Sequence, residues 1–327
     1  AIVTDHLLSG IQVVLGMDVI NQLGGVKVEG GIVEFGKLSK KCSVVGPSVE
    51  DSTKNLVVKD KDFEAEFNGK SWTVKWKWKS TEQPVLKNKI GCYEKGLDGD
   101  KKKGFEEEVE RWIDEGILQP WKHSVSSGVI PLLAVEQANK NKIRPVMDFR
   151  ELNQYVSCHT GDEVADICTE TLRKWRQTTG EASIVDLKAA YLQLRISPEL
   201  WKYQLVNYKG KTYCLTRLGF GLSSAPRIMS KVLKTVLSQS PQIASATASY
   251  IDDILVDEGK TTASEVREFL QSYGLESKPP EQLDGGAALG LKLKRDETGE
   301  LVFSRGNQIP DVVTRQLSRR ELFSVCG

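Results

Sequence analysis

Two adjacent aspartates, Asp252 and Asp253, interrupt the apolar segment YIDDILV at residues 250–256. Side chains alternate along a strand, so a carboxylate in this segment is buried at high cost unless the pair lies in a turn. We therefore predict a hairpin whose turn carries the two carboxylates. The alternative interpretation is an ordinary exposed acidic turn, because Asp favours turns through its own side-chain hydrogen bonds.

A third aspartate, Asp186, ends the apolar, strand-like segment SIVDL. Its carboxylate is also costly to bury unless it is paired or bound to a metal ion. Carboxylate oxygens suit Mg²⁺, and two such ions about 3.5–4 Å apart activate one oxygen and stabilise another in an in-line phosphoryl displacement. If the two strands converge, the three aspartates predict a site for two Mg²⁺ ions, with Mn²⁺ as the alternative ion.

The elements that must position these aspartates follow from periodicity and turn residues. The segment GFEEEVERWIDEGILQPW at residues 104–121 predicts an amphipathic helix with acids in its first turn, Gly116 near its end and Pro120 beyond it. Further helices are predicted in ICTETLRKWR, APRIMSKVLKTVL and TTASEVREFLQSYG. Hairpins are predicted in FEAEFNGKSWTVKWKWK, YQLVNYKGKTYCLTRL and ALGLKLKRDETGELVFS. Hairpins without a βαβ series predict an α+β fold.

The composition narrows the class of protein. A chain of 327 residues, 39% hydrophobic and 27% charged, is long enough for about two globular domains and excludes a disordered or collagen-like chain. Six scattered cysteines without a CxxC pair, and three histidines, argue against a zinc site and favour reduced thiols. We expect a soluble cytoplasmic protein without a secretion signal or membrane partner. A net charge of +1 gives no overall basic signature for nucleic acid.

Four motifs together resemble a known family. IRPVMDFRELN, SIVDLKAAYLQLRI, LGFGLSSAP and YIDDILV occur in the order and spacing seen in reverse transcriptases of LTR retrotransposons and retroviruses. The resemblance covers about residues 85–327; the middle is similar to gypsy-type elements and the end to BEL/Pao-type elements, so the clade stays open. It implies an RNA-directed and DNA-directed DNA polymerase with right-hand fingers and palm, built as an antiparallel sheet packed on helices.

The resemblance also implies roles for the residues that match the motifs. Asp186 and Asp252 would be the catalytic, metal-binding carboxylates, with Asp253 beside them and the backbone carbonyl of Leu187 as a further ligand. Tyr191 follows Asp186 by five residues, where the family carries an aromatic residue that blocks a ribose 2′-hydroxyl. This favours dNTP over NTP as the substrate, whereas the alternative for Tyr191 is an ordinary core position.

Five more residues are implied in binding the incoming dNTP. Arg144 would stack on the base and bind the triphosphate, a role suited to a planar fork of donors. The accompanying phosphate lysine would be Lys142 or Lys140, and the spacing leaves both open. Phe220 and Gly221 correspond to the floor of the nucleotide pocket, where Gly permits close backbone approach.

Other matched positions are supporting or less specific. Lys278 is a candidate general acid for pyrophosphate. Lys292 and Lys294 would contact the primer, and an exposed lysine-bearing strand is the alternative. The family usually has Pro where this chain has Gly219. We interpret the remaining polar residues of the DFRELN motif as a buried cluster supporting the fingers; they are Asp148, Arg150 and Asn153.

The N-terminal part has a separate resemblance. IVTDHLLSGIQVVLGMDVI is similar to the C-terminal half of a retropepsin-like aspartic protease, but no D-S/T-G motif is present, so no protease activity is expected and Asp18 is not catalytic. The predicted domains are a β-rich partial protease segment at 1–38, a linker with a β-hairpin at 39–81, fingers and palm at 82–310, and the truncated start of a thumb at 311–327.

The expected partners are an RNA or DNA template with its primer, a dNTP, and the rest of a Pol polyprotein: thumb, connection, RNase H and integrase. The expected location is cytoplasmic, within virus-like particles. Two alternative functions stay open. One is an inactive retroelement remnant that only binds nucleic acid, and the other is an RNA-directed RNA polymerase, which Tyr191 disfavours.

Overall fold

The computed structural model describes residues 26–29, 32–35, 42–43, 55–89, 92–93, 97, 99–123, 127–137, 142–159, 181–283, 285–288, 291–299 and 301–305. The chain divides into an N-terminal unit, residues 1–53, and a main unit, residues 54–327. Within the N-terminal unit, strands β1 (Val26–Glu29), β2 (Ile32–Phe35) and β3 (Cys42–Ser43) form one antiparallel sheet in that order. Residues 1–25, the larger part of the protease-like segment, lie outside the described residues.

The main unit combines helices with several small sheets, which confirms the predicted α+β class. Its helices are α1 (Gly99–Asp114), α2 (Ala225–Leu237), α3 (Pro241–Ala246) and α4 (Ala263–Ser272), with short 3-10 helices at Leu152–Gln154, Ala190–Gln193 and Pro198–Tyr203. Its strands are β4 (Asn55–Lys59), β5 (Phe63–Asn68), β6 (Trp72–Trp76), β7 (Cys92–Tyr93), β8 (Leu118–Pro120), β9 (Leu132–Gln137), β10 (Lys142–Met147), β11 (Ala182–Asp186), β12 (Arg195–Ile196), β13 (Leu205–Tyr208), β14 (Lys211–Leu215), β15 (Thr247–Tyr250), β16 (Asp253–Asp257), β17 (Glu281–Gln282), β18 (Ala287–Ala288), β19 (Leu291–Arg295) and β20 (Leu301–Arg305).

These strands form five sheets, and the pairing is antiparallel except for β7 with β9 and β6 with β12. The sheet orders are β10-β9-β7, β15-β16-β11-β17, β12-β6-β5-β4, β13-β14-β8 and β18-β19-β20. The sheet that carries the aspartates has β11 at its centre, and its Ile184, Val185 and Ile254 are buried. Apolar residues therefore hold this sheet in place up to the point where the carboxylates begin.

Residues 55–76 differ from the predicted linker. Asn68 and Gly69 turn the chain between β5 and β6 as the hairpin motif predicts, and Gly69 has φ 86°. The alternate positions of these two strands, Phe63, Phe67, Trp72 and Trp76, are each no more than 1% exposed, and they belong to the same core as the polymerase-like segments. The period-2 apolar pattern buries this face against the main unit, so the hairpin is part of that unit's core.

Charged residues tie the same hairpin to α2. Arg227 of α2 donates Nη2 to Asp60 Oδ2 at 2.9 Å and Nε to Asp62 Oδ1 at 3.3 Å. Asp62 is fully buried, and its other carboxylate oxygen accepts the backbone N–H of His159 at 2.9 Å. A buried carboxylate is tolerated here because its oxygens are paired with a cation and a donor.

The helices follow the patterns that predict them, with one difference in extent. α1 buries Phe105, Val109 and Trp112 on one face and ends at Asp114, because the positive φ of Gly116 (67°) turns the chain into β8. The sequence predicts a start at Gly104, whereas the helix begins five residues earlier, at Gly99. α4 begins with Thr262 and Glu265 in a reciprocal capping box. The predicted helix in ICTETLRKWR lies outside the described residues.

No helix within the described part of the chain has the length and apolar character needed to span a bilayer.

Candidate active site

The YIDD hairpin forms as predicted, with its turn at the edge of the central sheet. Tyr250 of β15 pairs with Asp253 of β16, which leaves Ile251 and Asp252 as a two-residue turn. Ile251 has φ 54°, a conformation that costs a β-branched residue free energy and that occurs most often at functional sites. The tight turn brings Asp252 and Asp253 to the end of the strand pair.

The convergence of Asp186 with this turn is confirmed. β11 and β16 are antiparallel, and Asp186 is the cross-strand partner of Asp253. The backbone N–H of Leu187 donates to the carbonyl oxygen of Asp252 at 3.3 Å. Residues 66 positions apart in the sequence, Asp186 and Asp252, are therefore neighbours at one edge of the sheet.

At this edge the carboxylates of Asp186 and Asp252 lie close to each other and to the ammonium group of Lys278. Burial raises the pKa of Asp252 above its ordinary 3.8, the negative charge of Asp186 raises it further, and the nearby charge of Lys278 lowers it. Lys278 forms an ion pair with Asp186 through Nζ, and its backbone N–H donates to the Asp186 carbonyl at 2.8 Å. Lys278 therefore offsets part of the repulsion between the charges of Asp186 and Asp252.

The donors at this edge fit an oxygen-ligated divalent cation. Two carboxylates raise each other's proton affinity when they are close, and a cation between them reverses that effect. Among the residues that the structure describes, however, no three His, Cys, Asp or Glu side chains form a group able to hold a metal ion. Asp186, Asp252 and Asp253 lie at the same edge, and the ligand roles of all three and of the Leu187 carbonyl stay predictions.

A cavity of about 400 Å³ opens beside the carboxylates. Its lining includes most of the residues that the motifs single out: Arg144, Asp186, Tyr191, Phe220, Asp252 and Lys278. Arg144 is exposed on β10. A concave site that joins two carboxylates and a lysine to a guanidinium group can hold a phosphorylated ligand together with a divalent cation.

Two aromatic side chains form part of the wall. The rings of Tyr191 and Phe220 lie 5.7 Å apart between centroids, and Phe220 is 64% exposed. Burial and then the charge of Asp252 raise the pKa of Tyr191 to about 12, so its hydroxyl stays protonated at neutral pH. The wall next to the carboxylates is therefore uncharged and aromatic.

Two glycines shape the loop that carries Phe220. Gly221 has φ 103°, which L side chains rarely adopt. A Cβ on Gly219 would lie 2.1 Å from Cζ of the buried Phe149, so this position has no room for a side chain. Asn153 braces the loop by donating Nδ2 to the Gly221 carbonyl at 3.0 Å and accepting the Ser223 N–H at 2.8 Å.

The rest of the DFRELN motif is less buried than predicted. Asp148 and Arg150 form a bidentate pair, with Nε of Arg150 at 2.8 and 3.0 Å from the two oxygens, and this pairing lowers the pKa of Asp148. The Arg150 side chain is 88% exposed. A buried cluster is wrong for Arg150, because its guanidinium reaches solvent while it holds Asp148.

Several predicted residues are not brought to the cavity or fall outside the described positions. Lys292 and Lys294 lie on the exposed face of β19, with Leu293 buried between them, so the predicted hairpin is confirmed and contact with a primer stays a prediction. Neither lysine lines the cavity. Lys142 belongs to β10, but its side chain and all of Lys140 lie outside the described residues.

The sequence analysis missed one wall of the cavity, which comes from α1. Glu108, Arg111 and Trp112 contribute to the lining. Trp112 belongs to the apolar face that the sequence predicts for this helix, and it is buried. Its indole nitrogen has no partner among the described residues, a feature that periodicity does not predict.

A protein-family model matches part of this chain. Residues 135–279 match the model of the family described as reverse transcriptase (RNA-dependent DNA polymerase). The matched range covers 145 of the 327 residues and includes Arg144, Asp186, Tyr191, Asp252 and Lys278.

The relatives by sequence include retroviral polyproteins. The Gag-Pol polyprotein of gibbon ape leukemia virus is 27% identical over 176 residues, which cover 49% of this chain and 10% of the polyprotein. The Gag-Pol polyprotein of koala retrovirus is 28% identical over the same length. An uncharacterized protein of Caenorhabditis elegans is 26% identical over 176 residues, covering 52% of this chain and 13% of that protein. The matches thus span about a tenth of these relatives.

Solved structures support the fold. A foamy viral protease–reverse transcriptase in complex with double-stranded DNA has a TM-score of 0.56 at 19% identity, covering 76% of this chain and 42% of that one. A second structure of that protein with double-stranded DNA has a TM-score of 0.56 at 17% identity, covering 77% and 54%. The predicted α+β fold of fingers and palm is confirmed. The protease segment and the gypsy or BEL/Pao subtype stay predictions.

Proposed function

We propose that this chain is a reverse transcriptase, an RNA-directed and DNA-directed DNA polymerase that adds dNTP to a primer 3′-hydroxyl as part of a retroelement Pol polyprotein. The observation that carries the proposal is that Asp186 and Asp252 are close to each other and line one cavity, within the range that matches the reverse transcriptase family model. The Gag-Pol relatives support a polyprotein context, with thumb, connection, RNase H and integrase as neighbours and particles in the cytoplasm as the location.

The residues have distinct tasks in this mechanism. Asp186 and Asp252, with Asp253 beside them and the Leu187 carbonyl, would hold the divalent ions. When bound, Mg²⁺ increases the acidity of the primer hydroxyl and neutralises charge on the phosphates. Lys278 reaches the same edge through its ion pair with Asp186, which suits a general acid for the leaving pyrophosphate.

The other cavity residues position the nucleotide. Arg144 presents an exposed guanidinium fork to the triphosphate, with Lys142 or Lys140 as its companion. Phe220 lines the cavity and would form its floor with the adjacent Gly221, and Tyr191 packs against Phe220 where a ribose 2′-hydroxyl would clash. Holding the reacting groups in this geometry, together with charge stabilisation, accounts for catalysis without a covalent intermediate.

The test is addition of a single dTTP to oligo(dT) on poly(rA) with Mg²⁺, at protein in excess over primer so that processivity is not needed. The unaltered chain should extend the primer, and the Asp252→Asn, Asp253→Asn double variant should be at least about 100-fold slower, a loss of about 2.7 kcal/mol of transition-state stabilisation. Asp257→Asn, at the other end of β16, is the matched control. Binding of primer-template without extension by any variant would instead favour a chain that only binds nucleic acid.

Sugar selection separates this proposal from an RNA-directed RNA polymerase. Tyr191→Ala should raise UTP incorporation relative to dTTP by at least about tenfold, since the ring that excludes the 2′-hydroxyl is removed, a change of about 1.4 kcal/mol. Tyr191→Phe should keep the preference for dTTP, because the ring remains and the hydroxyl of pKa about 12 carries no charge in the assay. A preference for UTP in the unaltered chain would support the RNA polymerase.

A further inference from the structure

Two arginines face each other beside the segments that build the cavity. Arg195 of β12 and Arg217 form an isolated antiparallel bridge. The flanking hydrogen bonds run from Ile196 N–H to the Thr216 carbonyl at 2.9 Å and from Leu218 N–H to the Leu194 carbonyl at 2.8 Å. The two arginines are therefore a non-hydrogen-bonded cross-strand pair, the kind in which Cα atoms are about 4.5 Å apart and side chains are closest.

Like charges directly opposite each other destabilise a strand pair. Burial and then the charge of Arg195 lower the pKa of Arg217 below its usual value. Nη1 of Arg217 is buried and has no hydrogen-bond partner in the part of the chain that the structure describes. No ion pair of either arginine with an acid occurs within those residues, so positive charge is concentrated here without compensation.

The backbone around the pair is held in place, so the arginines do not separate easily. Gln204 is fully buried and donates Nε2 to the carbonyl of Arg217 at 3.1 Å and to that of Leu215 at 2.9 Å. Trp201 donates Nε1 to the Ile196 carbonyl at 2.9 Å. Leu194 and Leu218, next to the arginines in sequence, are fully buried. The fold thus maintains an arrangement that is unfavourable in the unliganded chain.

The position of the two arginines indicates which ligand would neutralise their charge. Neither arginine lines the cavity beside the carboxylates. Both lie on segments that lead away from it, because Arg195 follows Tyr191 by four residues and Arg217 precedes Phe220 by three. A nucleic-acid strand that reaches the cavity carries a phosphate at every nucleotide, and arginine binds phosphate through parallel N–H donors.

We propose that Arg195 and Arg217 together bind one backbone phosphate of the nucleic acid that occupies the site. This inference rests on the proposed function, since it assumes a nucleic-acid strand at the cavity. It accounts for the like-charge pair, because the phosphate would accept from the solvent-accessible donors of both guanidinium groups and neutralise part of their charge.

The experiment measures the affinity of the 327-residue chain for a fluorescent primer-template at several salt concentrations, without dNTP. Arg217→Gln and Arg195→Gln should each weaken binding by about tenfold, the effect of losing a charge-assisted hydrogen bond, and lower the magnitude of the salt slope by about one. The control is Lys70→Gln, which removes one charge at the exposed β5–β6 turn and should change affinity less than twofold.

Thermal unfolding without nucleic acid separates a binding role from a structural one. If the pair is maintained for a ligand, Arg217→Gln should leave Tm unchanged or raise it, because it removes like-charge repulsion and an unpaired buried charge. A lower Tm for Arg217→Gln together with unchanged affinity would overturn the proposal and make the pair structural. The double variant should lose less affinity than the sum of the single losses, because both arginines act on one phosphate.

Further measurements distinguish a backbone phosphate of the nucleic acid from a phosphate of the nucleotide. If both variants keep the affinity for primer-template but raise the KM for dTTP, the phosphate belongs to the nucleotide and the backbone proposal is overturned. Inorganic phosphate at constant ionic strength should compete only weakly with primer-template in the unaltered chain. Binding without any extension would contradict the proposed polymerase but still test the pair through the affinities. Failure of the unaltered chain to bind primer-template would overturn the pair's assignment.

Discussion

At the scale of single residues, Asp252 is held where its ionised carboxylate is unfavourable. It lies in a turn next to Ile251, whose positive φ is strained, and it faces the charge of Asp186. Folding raises its pKa, so the protonated carboxyl is the form that the folded state favours. The resulting contribution to stability is fully present below pH 3.8 and is lost as the pH rises through the raised pKa. At neutral pH the ionised pair therefore opposes folding unless a cation is bound.

We expect Asp252→Asn to raise Tm in the absence of divalent ions at pH 7, by about 2–4 °C for each 1 kcal/mol of relieved repulsion. Mg²⁺ should raise the Tm of the unaltered chain, by the equivalent of about 1.4 kcal/mol at ten times its Kd, and should shift Asp252→Asn much less. Differential scanning calorimetry with and without Mg²⁺ measures both effects.

The control for this prediction is Asp257→Asn, on the same strand and away from the turn, which should retain the Mg²⁺ shift. An equal Mg²⁺ shift in the Asp252 variant would mean that the ion binds elsewhere. The stability difference between the unaltered chain and Asp252→Asn should disappear toward pH 3, where both side chains are neutral.

At the scale of elements, the loop between β14 and α2 positions the floor of the cavity through close packing. The Phe149 ring fills the space where Gly219 would carry a side chain, and Asn153 fixes Gly221 and Ser223 through two hydrogen bonds. The family usually has Pro at the position of Gly219. In this chain the absence of a side chain at Gly219 lets the Phe149 ring pack against the backbone.

Gly219→Ala should therefore lower the free energy of unfolding by about 1–3 kcal/mol, the usual cost of forcing an extra methyl into a packed core. Urea denaturation measures the loss. In contrast, Gly104→Ala in α1 should stabilise by up to about 1 kcal/mol, since no atom lies within 4 Å of the new Cβ and Ala favours helix.

Phe149→Leu should recover part of the loss when it is combined with Gly219→Ala, because the smaller side chain vacates the contested space. The coupling between the two substitutions in a double-mutant cycle reports this contact. Additive effects would show that the loop moves away from Phe149 instead.

At the scale of the whole molecule, residues 54–81 belong to the main unit. The aromatic face of β5 and β6 completes its core, and Asp60 and Asp62 neutralise the buried Arg227. A chain that begins at Lys54 should therefore fold cooperatively, whereas a chain that begins at Gln83 should lose cooperative unfolding because it exposes the core and lacks the two carboxylates that pair with the buried Arg227.

Circular dichroism and calorimetry of the two shortened chains test this. The chain from Lys54 serves as the control for the shorter one, since both lack the N-terminal unit. A cooperative transition in the chain from Gln83 would return residues 54–81 to the role of a linker.

The local patterns predicted much of the main unit. The hairpin in YIDDILV, the capped helix at α4 and the Asn68–Gly69 turn all follow from turn residues, caps and period-2 or helical spacing, which act within about ten residues. Boundaries were less certain, as the start of α1 shows: the helix begins at Gly99, five residues before the apolar pattern that predicts it, while its end near Gly116 follows the glycine signal. The linker at 39–81 was wrong for residues 55–76, because local patterning does not report what a strand packs against.

The sequence by itself determined the residue types of the site and the family motifs that carry them, because side-chain chemistry and short-range spacing are written directly in the order of residues. Only the tertiary structure decided that Asp186 meets Asp252, that Trp112 walls the cavity, and that Arg195 stands opposite Arg217. Each of these contacts joins segments far apart in the chain. Their proximity depends on sheet register and core packing, which many distant residues set together.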